Sequence, residues 1–219
     1  GWTLASGRSF GNDWSSGNQM SIANGDLQLA VKSVHNATGN MIHVVAFDAC
    51  LMQLAEIGYE IKDYVRILVG AQAVWPITGF PYTEILRIME DDPGINETDL
   101  ACEVVTACRQ YYYDIQPSVM SAIDLEKMDA LNQRMVKVFE RMMTGLPDSG
   151  LVSLRNQVQT ISPTSSNPVV GDDYVDLGDY LRLLKDYAAA QDVADLGETY
   201  ASLIVAAEYW GEGFAKTTG

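Results

Sequence analysis

The sequence predicts an α/β fold with a mainly parallel central sheet flanked by helices, and three observations carry that prediction. Short apolar runs alternate with amphipathic stretches through residues 41–144, the pattern left by right-handed strand–helix–strand crossovers. Met41–Phe47, "MIHVVAF", is continuously apolar apart from one histidine, as in a strand buried on both faces of a parallel sheet. The composition, 47% hydrophobic and 20% charged over 219 residues, is that of a chain able to bury a full core.

Taken in order, residues 1–25 are rich in Gly, Ser and Asn without a sustained period, which predicts a long exposed loop. Leu27, Val31 and Val34 have helical spacing, so a helix is expected from Asp26, read as its cap, to His35, closing in the turn "HNATGN". The strand Met41–Phe47 follows. From Leu51 the period becomes helical through Leu54, Gly58 and Ile61. Tyr64–Ala71 reads as the next strand, "VWPITGFPY" as a punctuated loop, and 83–90 and 97–113 as helices. A strand "SVMSAID" and a helix over 125–144 come next, then a break at Gly145–Gly150 and a helical stretch over 151–160. The linker "SPTSSNPVVGDD" precedes two further helices over 174–189 and 194–209. Residues 1–123 are therefore expected to form the core of the domain, with 1–25 as its exposed loop, and 124–219 a mainly helical continuation.

Fourteen Lys and Arg against 29 Asp and Glu leave a net charge of −15. That is the wrong sign for binding a phosphate backbone, which excludes nucleic acid as a partner and favours cationic ligands. No apolar run reaches the roughly 18 residues a membrane span requires. Three cysteines cannot all pair, and Cys102 and Cys108 point apart on one predicted helix. The two histidines and three cysteines lack zinc-ligand spacing. No G-x-G-x-x-G or Walker loop supports a nucleotide-binding α/β protein.

Cys50 holds the most informative position. It follows a predicted strand and opens a predicted helix, where open α/β sheets bind ligands and where a helix N-terminus stabilises thiolate. The plain alternative is a small buried hydrophobe. Asp48, two residues earlier, reads either as an N-cap or as a carboxylate selecting a Lys or Arg side chain. A thiol nucleophile needs a base. His43 lies within the apolar strand, roughly 23 Å from Cys50 by strand rise, and His35 falls in a surface turn, so neither serves.

The block "IHVVAFDACLMQLAEIGYEIKDYVRILVGAQAVWPITGFPY", with "SGRSFGND" before it and "SVMSAIDLEKMDALN" and "YVDLGDYLRLL" after it, resembles the clostripain family of cysteine peptidases, which share a caspase-like α/β sandwich. The resemblance implies a cysteine endopeptidase cutting after Arg or Lys, with Cys50 as nucleophile and Asp48 in the pocket for the basic side chain. The strand after the nucleophile helix, about 70–74, would lie beside the substrate main chain, giving Gln72, Ala73, Val74 and Trp75 as substrate-binding positions. Val74 and Trp75 stand where relatives tend to carry a polar or acidic pair, which makes that wall more apolar. Trp75 is offered as a stack for a cationic side chain, worth roughly 0.5–2 kcal/mol.

The family's histidine belongs to a His-Gly pair that this sequence lacks. It is therefore expected outside this chain, on a separate N-terminal chain or segment. The chain is then an incomplete piece of the domain, inert by itself. Arg8 is the expected self-processing site. No cofactor is required for the chemistry, though family calcium dependence would draw on acidic pairs such as Asp91-Asp92 or Asp172-Asp173. A peptide or protein substrate and a secreted or cell-envelope bacterial location complete the expectation. The competing reading is a non-catalytic relative acting as a binding module.

Overall fold

In the computed structural model, residues 9–13, 15–22, 24–145, 147–160 and 174–211 are described. The first of them form a hairpin rather than a bare loop: β1 (Ser9–Asn12) pairs antiparallel with β2 (Gln19–Ser21). Its turn is organised by Asp13, whose carboxylate accepts hydrogen bonds from the Ser15 amide and the Ser15 and Ser16 hydroxyls. These bonds hold its carboxyl below the usual range. Turn chemistry of this kind is local and leaves no apolar period to read.

Helix α1 (Asp26–Thr38) starts where expected but is capped by Gly25 in the left-handed region. Asp26 instead accepts the Ser21 amide at 2.9 Å, fastening the hairpin to the helix. The helix runs one turn past His35 and stops at Gly39, also left-handed.

The central sheet has the order β3 (Ile42–Ala46), β4 (Val65–Ala71), β5 (Ser118–Asp124), β6 (Ile204–Trp210). Only β3 and β4 are parallel; the other two pairings are antiparallel. The sheet is thus mixed, not mainly parallel. The single helix α2 (Ala55–Ile61) returns the chain to the starting end of the sheet between β3 and β4. Two helices, α3 (Tyr82–Asp91) and α4 (Glu97–Tyr112), lie between β4 and β5. A pair of helices leaves the chain at the end where it departed, so β5 runs backwards.

Helices α5 (Met128–Gly145), α6 (Asp148–Gln157), α7 (Leu177–Leu183) and α8 (Ala190–Leu203) precede β6. The helix expected over 194–209 ends at Leu203, and residues 204–209 become, with Trp210, the strand that pairs with β5. Two apolar clusters sandwich the sheet. Leu68 packs with Leu27, Ile57, Leu131 and Leu196 on one face, and Ile67 and Val69 pack with Val105, Tyr112 and Trp210 on the other. Strand β4 is buried, as its apolar run predicts, whereas β3 lies at the edge of the sheet among the described residues and is only half-buried. No helix among the described residues is long and apolar enough to cross a membrane.

Candidate active site

Cys50 sits beyond the end of β3 in a tight turn. The last ladder bond is from the Phe47 amide to the Val69 carbonyl at 2.9 Å. The chain then bends and settles over the end of β4, where the Leu51 amide donates to Ala73 O and the Met52 and Gln53 amides to Ala71 O, at 3.1–3.2 Å. The bend is made at Leu51, whose φ of 57° is left-handed for a residue with a side chain, a cost on the order of 1–2 kcal/mol. Burial of the Leu51 side chain and those three hydrogen bonds hold it there. Helix α2 begins only at Ala55, with Leu54 as its cap. Cys50 therefore lies outside the helix, and the expected help from a helix N-terminus at the sulfur does not apply.

The sulfur is fixed by the backbone of the next crossing segment. The Trp75 amide donates to Cys50 Sγ at 3.1 Å, and the thiol reaches the Trp75 carbonyl at 3.6 Å. The Trp75 ring points the other way. It is 4% exposed and meets Phe80, Tyr112 and Trp210 edge-on. A ring buried in that cluster is not offered to a substrate cation, which corrects the stacking role expected of it. Gln72 and Ala73 are likewise buried, and Val74 is half-buried with its carbonyl accepting from the Ser118 hydroxyl at 3.2 Å. What this segment turns towards Cys50 is main chain.

Asp48 is exposed on the same turn. Its Oδ2 accepts the Phe80 amide at 3.1 Å and the Tyr82 hydroxyl at 2.8 Å. It is thus no cap for α2. The bond to Asp48 holds the Tyr82 hydroxyl protonated above the usual phenol range, with burial adding to it. Gly79 stands against the carboxylate with a φ of +78°, and a Cβ there would lie 2.4 Å from Oδ2. The loop 76–81 is tied from below by Tyr112, whose hydroxyl donates to Gly79 O at 2.6 Å and meets Thr78 Oγ1 at 2.7 Å. Sequence reasoning missed Tyr82, Gly79, Phe80 and Tyr112; "TGFP" marked a turn and nothing more.

Burial, and secondarily the Asp48 charge, push the Cys108 thiol up to about 12, and burial also raises Cys102; both are structural. His35 lies in the last turn of α1, its Nδ1 2.9 Å from Asn40 O. His43 is exposed on β3 and faces Glu97 at 3.5 Å, outside the core. Neither has a contact with Cys50. A cavity of about 320 Å³ on the α5 face is lined by Gln53, Gln72, Leu131, Phe139 and Tyr180, but by neither Cys50 nor Asp48.

Calcium takes roughly six to eight oxygen ligands. Among the described residues no three acidic, cysteine or histidine side chains form a metal-holding group, and Asp92 is engaged by the Gly94 amide. Asp91-Asp92 is not part of such a group. Asp172-Asp173 and Arg8 lie outside the described residues.

The model of the clostripain family, peptidase family C11, matches residues 3–213. This chain belongs to the clostripain family of cysteine peptidases. No curated protein matches it significantly. Its clostripain fold is seen in solved structures of three bacterial relatives. A Bacteroides thetaiotaomicron clostripain in complex with a peptide inhibitor is 21% identical, with a TM-score of 0.65 over 88% of this chain and 78% of that one. A B. fragilis cysteine protease is 17% identical, with a TM-score of 0.66 over 96% and 81%. An inactive zymogen C11 protease from Parabacteroides distasonis is 16% identical, with a TM-score of 0.58; this clostripain-family chain spans 52% of its length.

Proposed function

We propose that this chain carries the nucleophile and the specificity acid of a cysteine endopeptidase that cuts after Arg or Lys. The observation that carries the reading is the shared turn beyond β3, where Cys50 Sγ is held at the Trp75 amide and the Asp48 carboxylate stands exposed two residues before it. Cys50 sulfur attacks the scissile carbonyl carbon, forming a C–S bond and an oxyanion. The C–N bond then breaks as the leaving amine takes a proton, and water hydrolyses the thioester. The amides of Leu51, Met52 and Gln53 are engaged by the Ala73 and Ala71 carbonyls, so the Cys50 amide is the donor in this stretch assigned to the oxyanion. Asp48 pairs with the basic side chain. Because His35 and His43 are both committed elsewhere, the proton is handled by a histidine from outside this chain, on a preceding segment or separate chain.

Self-cleavage after Arg8 and secretion belong to the same reading. Support comes from the inactive zymogen among the relatives and from a secreted C11 protease of B. thetaiotaomicron at 21% identity and a TM-score of 0.65. The test is turnover of Arg and Lys peptide amides by the full-length protein and by its Cys50→Ala variant, with the N-termini of the active material determined. The variant is expected to lose at least about 10³-fold in kcat. Equal turnover by the two proteins refutes the nucleophile, and an intact Arg8–Ser9 bond in fully active enzyme refutes required processing. The competing reading, a binding module, draws on the engagement of His35 with Asn40 O and of His43 with Glu97 rather than with the thiol; it predicts no turnover by either protein.

A further inference from the structure

The Asp48 carboxylate is held on one side only. Both hydrogen bonds that reach it, from the Phe80 amide and the Tyr82 hydroxyl, end on Oδ2. A carboxylate oxygen accepts about two hydrogen bonds, so Oδ2 is filled. Gly79 closes the same side, its main chain near enough that a Cβ would collide with Oδ2. Among the described residues nothing donates to Oδ1, and the side chain is exposed.

Lysine and arginine ask different things of such a group. A guanidinium pairs best with a carboxylate through two parallel N–H bonds, one to each oxygen. An ammonium is a point charge that one oxygen satisfies. We infer that Asp48, with Oδ2 closed by Phe80 and Tyr82, accepts a lysine ammonium at Oδ1 in preference to an arginine guanidinium, and that the Tyr82 hydroxyl sets this preference. The inference rests on the reading of Asp48 as the acid that meets the substrate's basic side chain.

Of the two donors to Oδ2, only Tyr82 can be removed without disturbing the main chain. The Phe80 amide is fixed by a loop that Tyr112 ties down through Gly79 O. Tyr82 opens α3, is 55% exposed and packs on Phe80 with ring centroids 6.1 Å apart. Tyr82→Phe keeps that packing and frees one lone pair of Oδ2, giving a guanidinium its second acceptor.

The experiment measures kcat/KM of the full-length protein on fluorogenic peptides identical except for Lys, Arg or norleucine before the scissile bond. The wild type is expected to favour Lys over Arg by about threefold or more, and Tyr82→Phe to lower the Lys:Arg ratio about fivefold through a smaller KM for Arg. Arg equal to or better than Lys in the wild type, or a ratio unmoved by Tyr82→Phe, overturns the inference. Norleucine cleaved as well as Lys would show that Asp48 does not read charge, and loss of all three activities that the peptidase reading itself fails. Both are distinct from a wrong Lys:Arg order.

Discussion

At the scale of single residues, the site depends on how closely main chain approaches the Asp48 carboxylate. Gly79 permits it twice, through a positive φ and through the absence of a Cβ that would stand 2.4 Å from Oδ2. Gly79→Ala should therefore push the loop or the carboxylate aside. The expected result is a loss of about 1–2 kcal/mol in stability from the left-handed backbone and roughly a tenfold fall in kcat/KM for basic peptides. Urea denaturation and steady-state kinetics measure the two, and a variant with wild-type kinetics would disprove the close contact. The position of Cys50 and Asp48 just beyond a strand was legible because a strand end is a local event, visible as an apolar run breaking at a carboxylate. Tyr82 was not. It meets Asp48 across 34 residues of sequence, and nothing local in "FPY" encodes that contact. Trp75 was misplaced for the same reason, since its direction is decided by Tyr112 and Trp210 from distant elements.

At the scale of elements, the loop 76–81 behaves as a strap between β4 and α3, anchored from inside by α4. Tyr112 is 2% exposed, and its hydroxyl supplies the partner of Gly79 O. Tyr112→Phe leaves that carbonyl and the Thr78 hydroxyl without it, an expected cost of about 1–2 kcal/mol. A urea midpoint unchanged from the wild type would contradict the anchoring role; a lowered midpoint with a raised KM for basic peptides is the expected outcome. Most elements were readable from period and punctuation, including β4, α3, α4, β5 and α5. The failures have physical causes. Residues 204–210, "IVAAEYW", continue the composition of α8, and they become a strand because β5 presents an open edge that local propensity cannot see. The start of α2 was placed early because Leu51–Leu54 is apolar enough to pass as a first turn, whereas the amides of Leu51, Met52 and Gln53 are taken by the carbonyls of Ala73 and Ala71.

At the scale of the molecule, the mixed sheet places Cys50, Asp48 and the strap at one end of β3 and β4, while the surface as a whole carries a net charge of −15. A field of that sign gathers cationic peptides towards the protein before any contact is made. The short-range pairing proposed at Asp48 and long-range attraction by the whole surface respond differently to salt, because exposed charges further apart than about 10 Å are screened at 0.1 M ionic strength while a contact pair is screened less. Raising ionic strength from about 0.05 to 0.5 M should lower kcat/KM for a Lys peptide of net positive charge about threefold, through KM. A charge-neutral peptide with the same Lys before the scissile bond should change much less, because it keeps the contact proposed at Asp48 and lacks the net attraction. The two salt profiles, measured side by side on the full-length protein, separate the terms. Parallel profiles would mean that the acidic surface contributes nothing to capture and that recognition of the basic side chain rests on the local pair alone.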